Sequence, residues 1–281
     1  MRIAILGATG VLGRPVVARL LERGHEIVAI VRDPARLATD LRVHGVRGDI
    51  LDPATLVAPL AGCDAVLHLA TVIPRTGTRP DWSPNDRVRS EGTRNLLDAA
   101  RRNGGSRYVQ QSVAMLLAGP RDMIADEDSP LRPSPHLESA RDMEHAVRES
   151  DLPWVILRGG AFYGRTSDRM EYLNRIAREG RLAMPGDGGD YISLVHVEDM
   201  AEAVVCAAES DLAAQTFNIV DDYPVTYREL YEFVARVNAA PPPAAGGPPL
   251  LPGFRVSNAR ARSVLGWQPR FTDYRAGWTT D

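Results

Sequence analysis

The residues with the most legible chemistry stand at the start of the chain. Gly7-Ala8-Thr9-Gly10-Val11-Leu12-Gly13 joins a short apolar run to an amphipathic one. Three glycines at this spacing, between a strand and a helix, suit a dinucleotide. Gly7 permits the tight turn, Gly10 lets the backbone approach a pyrophosphate, and Gly13 lets the helix pack close to the sheet. Thr9, Val11 and Leu12 lie where the helix opens, and the unpaired N–H groups there carry a partial positive charge that attracts phosphate. The choice of nucleotide falls to the end of the second strand. An acidic side chain there accepts hydrogen bonds from ribose hydroxyls and favours NAD, whereas a basic one favours the 2′-phosphate of NADP. The segment Ile30-Val31-Arg32-Asp33-Pro34-Ala35-Arg36 puts Arg32 at the strand tip and Arg36 four residues on, so NADP is the expected cofactor, with Asp33 keeping NAD open. Gly48-Asp49-Ile50, after the third strand, is placed to meet the adenine edge through Asp49; a turn-forming aspartate is the competing reading.

These residues need a scaffold, and the chain alternates between short apolar runs and helical periodicity. Strands are expected over 2–6, 26–31, 43–48, 65–69, 106–112 and 154–157, and helices over 11–23, 34–41, 53–60, 85–102 and 135–150. Strands separated by helices of this length imply right-handed crossovers and a parallel sheet covered on both faces. Beyond Gly159 the pattern turns irregular, with helices over 171–178, 197–210 and 227–238 and a strand over 216–220. Residues 241–252 hold six prolines and two glycines and read as a loop. The expected fold is α/β, a Rossmann doubly wound parallel sheet with a small C-terminal substrate-binding lobe. Residues 1–160 form the NAD(P)-binding domain, part of 190–220 returns to it, and 161–281 form the lobe.

Composition removes several functions. The 281 residues are 44% hydrophobic, enough for a full core, and the formal net charge of −3 gives no reason to expect nucleic acid or an anionic membrane as partner. No apolar run approaches the ~20 residues that span a bilayer. The N-terminus runs directly into a strand pattern, so the cytoplasm is the expected compartment. Two distant cysteines, Cys63 and Cys206, cannot make a disulfide framework and read as packing residues. No His, Cys or Glu spacing suggests a metal. All 33 basic residues are arginine and none is lysine. A Schiff base, a lysine general base and a lysine-assisted tyrosine are thereby excluded, because arginine stays protonated at any working pH.

The chain resembles the NAD(P)-dependent epimerase/dehydratase group, the extended short-chain dehydrogenases/reductases, over nearly its whole length. The likeness is carried by Gly7–Gly13, Gly48-Asp49, Val66-Leu67-His68-Leu69-Ala70, Gly92-Thr93-Arg94-Asn95-Leu96-Leu97-Asp98-Ala99-Ala100, Leu157-Arg158-Gly159-Gly160-Ala161-Phe162-Tyr163-Gly164, His196-Val197-Glu198-Asp199-Met200-Ala201 and Leu265-Gly266-Trp267-Gln268-Pro269. The resemblance implies that Leu69 and Ala70 line the cofactor path. It also implies a Tyr acid/base with a Lys four residues later, a Ser or Thr after strand five, and often an Asn. The i, i+4 spacing sets Tyr and Lys on one helical face, where the ammonium lowers the phenol pKa. Glu144 matches a family glutamate, and that register puts His136 at the Tyr position and Ala140 at the Lys position. Arg89 stands at the Asn position, and Ser112 stands where the Ser is expected.

Within this resemblance His136 is the substitute acid/base, since imidazole titrates near neutral pH. Tyr163 follows strand six in a loop the family sets against substrate; packing is its competing role. Ser112 is expected to hydrogen-bond a substrate oxygen. Arg89 suits an acidic substrate group, a cofactor phosphate or a solvated helix face. Three activities fit: an NADP(H)-dependent oxidoreductase acting on a small carbonyl, imine or enone; a non-redox epimerase or dehydratase-type enzyme; and a catalytically inactive NADP(H)-binding sensor. A small molecule is the expected substrate. A homodimer through the helices over 85–102 and 135–150 is the assembly the resemblance suggests.

Overall fold

The computed structural model describes residues 1–37, 42–74, 80–248 and 253–279. The first half runs β1 (Arg2–Leu6), α1 (Gly13–Glu22), β2 (Glu26–Val31), β3 (Val43–Arg47), β4 (Ala65–His68), α2 (Ser83–Arg87), α3 (Thr93–Arg102), β5 (Arg107–Val113), α4 (Glu138–Arg148) and β6 (Trp154–Gly159). The second half runs β7 (Ala161–Tyr163), α5 (Asp168–Arg178), β8 (Ala183–Pro185), β9 (Tyr191–Ile192), β10 (Leu194–His196), α6 (Val197–Glu209), β11 (Gln215–Ile219), β12 (Val225–Thr226), α7 (Tyr227–Val237), β13 (Ala244–Gly247) and α8 (Tyr274–Thr279).

Seven strands form one parallel sheet in the order β11-β6-β5-β4-β1-β2-β3. Both faces are covered, which explains why the strands read as unbroken apolar runs. Along β1, Ile3 and Ile5 enter the core under α1 and α6, whereas Ala4 and Leu6 enter the core under α3 and α4. Arg19 and Arg23 on α1 pair with Glu198, Glu202 and Glu209 on α6 and fasten those two helices together. The strand order reverses between β1 and β4, and a doubly wound sheet opens its ligand crevice at that point, outside the carboxyl ends of the strands. A separate apolar core lies beyond β6 and β11. It gathers Ala161, Tyr163 and Val220 with α5, α7 and Trp278.

Several expected elements differ. Residues 53–60 form two single 3₁₀ turns, Pro53–Thr55 and Ala58–Leu60, rather than one helix. Pro59 has no N–H to continue a helix begun at Pro53. The proline-rich stretch contains β13, which pairs in parallel with β8. The helix expected over 34–41 is a short turn over Pro34–Arg36, and residues 38–41 lie outside the described residues. Helix α5 starts at Asp168, ahead of expectation, because Ser167 caps it by accepting from the Met170 N–H. The long helix over 85–102 is a continuous helical run interrupted by a π turn over Val88–Gly92. Among the described residues no helix is long and apolar enough to cross a membrane. No group of three His, Cys, Asp or Glu among them could hold a metal ion.

Candidate active site

A cleft of about 1000 Å³ opens where the strands end. Its wall takes Leu6 from the end of β1, Ile30 and Val31 from β2, Gly48–Leu51 after β3, Leu69–Pro74 after β4, Gln111 and Val113 from β5, and Gly160–Phe162 after β6.

One end is assembled from backbone. Gly7, Thr9, Gly10, Val11, Leu12, Arg32, Asp49, Ile50, Leu69 and Ala70 all line the cleft. Gly7 takes φ +93°, and a Cβ there would sit 2.6 Å from the Leu69 carbonyl carbon, so the loop lies directly on the end of β4. Gly13 lies behind the wall, where a Cβ would fall 2.0 Å from the Gly7 carbonyl oxygen. Its small size lets α1 start against the loop. The start of α1 has no side-chain cap and no acid in its first turn, so the positive end of the helix dipole stands behind the glycine loop; the Arg14 N–H turns back to the Gly10 carbonyl at 3.2 Å. Arg32 is exposed and makes no hydrogen bond or ion pair with described residues. Asp33 accepts from the Ala35 N–H at 3.2 Å. Asp49 braces its own turn by accepting from the Leu51 N–H at 3.0 Å while it faces the cleft. The Arg36 side chain lies outside the described residues. A helix start without an acid and a cradle that any Cβ would fill fit a nicotinamide dinucleotide.

The other end is assembled from side chains. His136 lines the cleft, stacks on Trp82 with centroids 5.5 Å apart and shares a 3.2 Å hydrogen bond from Nε2 to the Ser134 hydroxyl. Ala140, at the family's lysine position, is fully buried. Arg89 lines the cleft from the π turn and reaches the Ser139 hydroxyl at 3.4 Å, while Ser139 donates to Asp86 at 2.6 Å. Trp82, Met115, Phe162 and Arg169 also line this end; Phe162 falls within a quoted family motif and Arg169 within α5, but no sequence signal pointed any of the four at the site.

Two residues expected at the chemistry do not line the cleft. Ser112 is 2% exposed and donates to Glu144 Oε1 at 2.7 Å. Successive strand residues point to opposite faces, so Gln111 and Val113 meet the cleft and Ser112 turns into the protein. Glu144 also accepts two hydrogen bonds from Arg158, at 2.9 and 2.7 Å, and pairs with Arg148 at 3.2 Å. Burial pushes the Glu144 carboxyl up, but the Arg158 bonds and charge and the Ser112 hydroxyl outweigh it and hold it below the usual value. Tyr163 is 1% exposed, meets the His196 ring edge-on at 5.1 Å and stacks on Trp278 at 6.2 Å. Its hydroxyl has no hydrogen-bond partner among the described residues, and burial drives the phenol pKa far up, so it stays protonated and packs.

The later His-Asp motif is structural. His196 caps α6 by accepting from the Glu198 N–H at 3.2 Å, and burial lowers it to about 4, so it is neutral. Asp199 accepts from the N–H groups of Arg270 and Phe271 at 2.9 Å each and ties the C-terminal segment to the sheet domain.

A family model described as NAD(P)H-binding matches residues 7–211. The chain belongs to this family, within the extended short-chain dehydrogenases/reductases of the epimerase/dehydratase group, and is an NAD(P)-dependent oxidoreductase of that type. Among its relatives, a 3-diazoavenalumate denitrifying reductase from a Streptomyces species is 34% identical over 99% of this chain and 99% of its own length. A UDP-glucose 4-epimerase of Mycolicibacterium smegmatis is 30% identical over 96% of this chain and 94% of its own. The solved structure of MoeE5 in complex with UDP-glucuronic acid and NAD matches with a TM-score of 0.86 at 25% identity, covering 100% of this chain and 97% of that one.

Proposed function

We propose that this protein is an NADP(H)-dependent reductase of a small organic electrophile that works without the Tyr–Lys relay. The observation that carries the reading is the meeting, in one cleft, of the glycine-loop nucleotide cradle and His136, on the 3₁₀ turn Pro135–Leu137 just ahead of α4, with a buried Ala140 on α4 at the Lys position. Bound in the cradle, the nicotinamide supplies a hydride. The start of α1 holds the pyrophosphate, Arg32 takes the 2′-phosphate and Asp49 meets the adenine side. His136 holds the proton that a reduced carbonyl, imine or enone requires, and its stack on Trp82 and its bond to Ser134 fix the ring.

A second reading is favoured by the Streptomyces relative named as a diazo-denitrifying reductase. On an aryl diazonium the diazo-bearing carbon takes the hydride, the C–N bond breaks, and its electron pair leaves with dinitrogen. The product holds no new oxygen or nitrogen anion, so neither a phenol nor a lysine has a proton to deliver. The missing dyad is then no handicap.

The test is consumption of NADPH against a carbonyl, imine and enone panel beside a stable aryl diazonium, with 4-deuterated NADPH to follow the hydride into product. His136→Ala lowers carbonyl reduction by about 10²-fold and leaves diazonium reduction within about twofold. Tight NADPH binding with no oxidation by any acceptor refutes both readings.

A further inference from the structure

The chemical end of the cleft carries a buried cation that makes no ion pair among the described residues. Arg89 is 5% exposed and lines the cleft, yet its sole hydrogen bond among the described residues is the long one to Ser139. Asp86 favours the Arg89 charge from a distance, but its carboxylate takes its hydrogen bond from the Ser139 hydroxyl and makes no ion pair with Arg89. Arg87, the neighbouring basic residue on the same wall, differs: Glu91 accepts from it at 3.1 and 2.9 Å and answers its charge. A guanidinium with no carboxylate in hydrogen-bond contact and largely withdrawn from water is a strong anion seat, because its forked donors match a carboxylate and little water competes. The seat lies beside Ser139 and Ala140 on α4, whereas the pyrophosphate cradle is the Gly7–Gly13 loop. Trp82, Val113, Met115 and Phe162 give the same cleft its apolar and aromatic lining.

We propose that the cleft selects a flat aromatic substrate that bears a carboxylate, with the ring against the Trp82 wall and the carboxylate on Arg89. Of the arginines at this end, Arg89 is the buried one; Arg87 is paired with Glu91, and Arg169 lines the cleft as a second cation that the test must separate from it. The proposal rests on the reductase reading for the presence of nucleotide in the cleft, but its test requires no turnover.

The experiment is calorimetry on the full chain saturated with NADP⁺, with 4-hydroxycinnamate and its neutral amide as probes. The carboxylate binds at least about tenfold tighter than the amide, in keeping with a charge-assisted bidentate pair. Arg89→Gln erases that preference, Arg89→Lys keeps part of it, and nucleotide affinity and melting temperature stay near the parent in both. Should Arg89→Gln fail to fold, the carboxylate–amide ratio of the parent and of Arg89→Lys still decides. Equal affinity for the two probes, no binding of the carboxylate at millimolar concentration, or a preference that survives Arg89→Gln and disappears in Arg169→Gln overturns the proposal. A carboxylate preference without hydride transfer to any acceptor would sink the reductase reading and leave this one standing. Hydride transfer to neutral acceptors without a carboxylate preference would do the reverse.

Discussion

The nucleotide end of the cleft and its chemical end are built from different materials. At the nucleotide end the working groups are main-chain N–H donors, a glycine at φ +93° and a glycine whose Cβ would strike a carbonyl. A side-chain change there damages the fold of the loop itself. At the chemical end the groups are side chains projecting from elements held by other means. Helix α4 is fixed by the Glu144–Arg158 pair, both residues 1% exposed and neither lining the cleft, one turn beyond Ala140. That pair does not depend on which side chains stand at positions 136 and 140. Reaction chemistry can be rewritten at one end while cofactor recognition persists at the other.

The largest expected effect tests the pin beneath the chemical end. Glu144→Gln leaves Arg158 buried against a neutral partner and costs about 3–5 kcal/mol of stability at neutral pH, read by denaturant unfolding. Glu144 is held below its unfolded value, so its contribution is present above an unfolded carboxyl pKa of about 4.3 and is lost as the pH falls through the lower folded value. The gap between parent and variant therefore closes on acidification; a gap independent of pH would show that the charge of Glu144 is not what holds α4. The next effect sharpens the nucleotide end. Arg32→Ala weakens NADPH about tenfold or more, the loss of one charged phosphate contact, and leaves NADH within about twofold. Equal losses for both nucleotides would move the 2′-phosphate seat elsewhere. The smallest effect separates the cleft from what lies behind it. Ser112→Ala removes one hydrogen bond to Glu144 and costs about 1 kcal/mol, while the turnover rate changes little. A drop in that rate of about a hundredfold, the size expected for a lost proton-transfer group, would return Ser112 to the reaction.

What could be read without coordinates follows the same division. The glycine loop, the alternation of strand and helix and the tip of β2 are local features, and the sheet places Gly7, Arg32, Asp49 and Ala70 on one wall. The inward turn of Ser112 was also available, since strand period alone sets it opposite Gln111 and Val113. Other features had no local signal. The pairing of β13 with β8 is a backbone contact between distant segments, and Ala244-Ala245-Gly246-Gly247 offers no side-chain pattern. Trp82 reaches the cleft from an irregular segment, and Arg169 from the first turn of α5, ahead of the helix expected over 171–178. The π turn is equally silent in sequence, because Val88–Gly92 differs in composition little from an ordinary helix turn.

That turn has a geometric consequence. A π turn holds one residue more than the α-helical winding around it, and each residue advances the α-helical azimuth by about 100°. Deleting one residue between Val88 and Gly92 would restore regular winding and swing the Arg89 guanidinium by roughly that angle, off its seat beside Ser139. The helix would keep its length to within one rise, and the nucleotide loop would be untouched. A shorter backbone would thus discard the anion seat as completely as a substitution, with every side chain type still present.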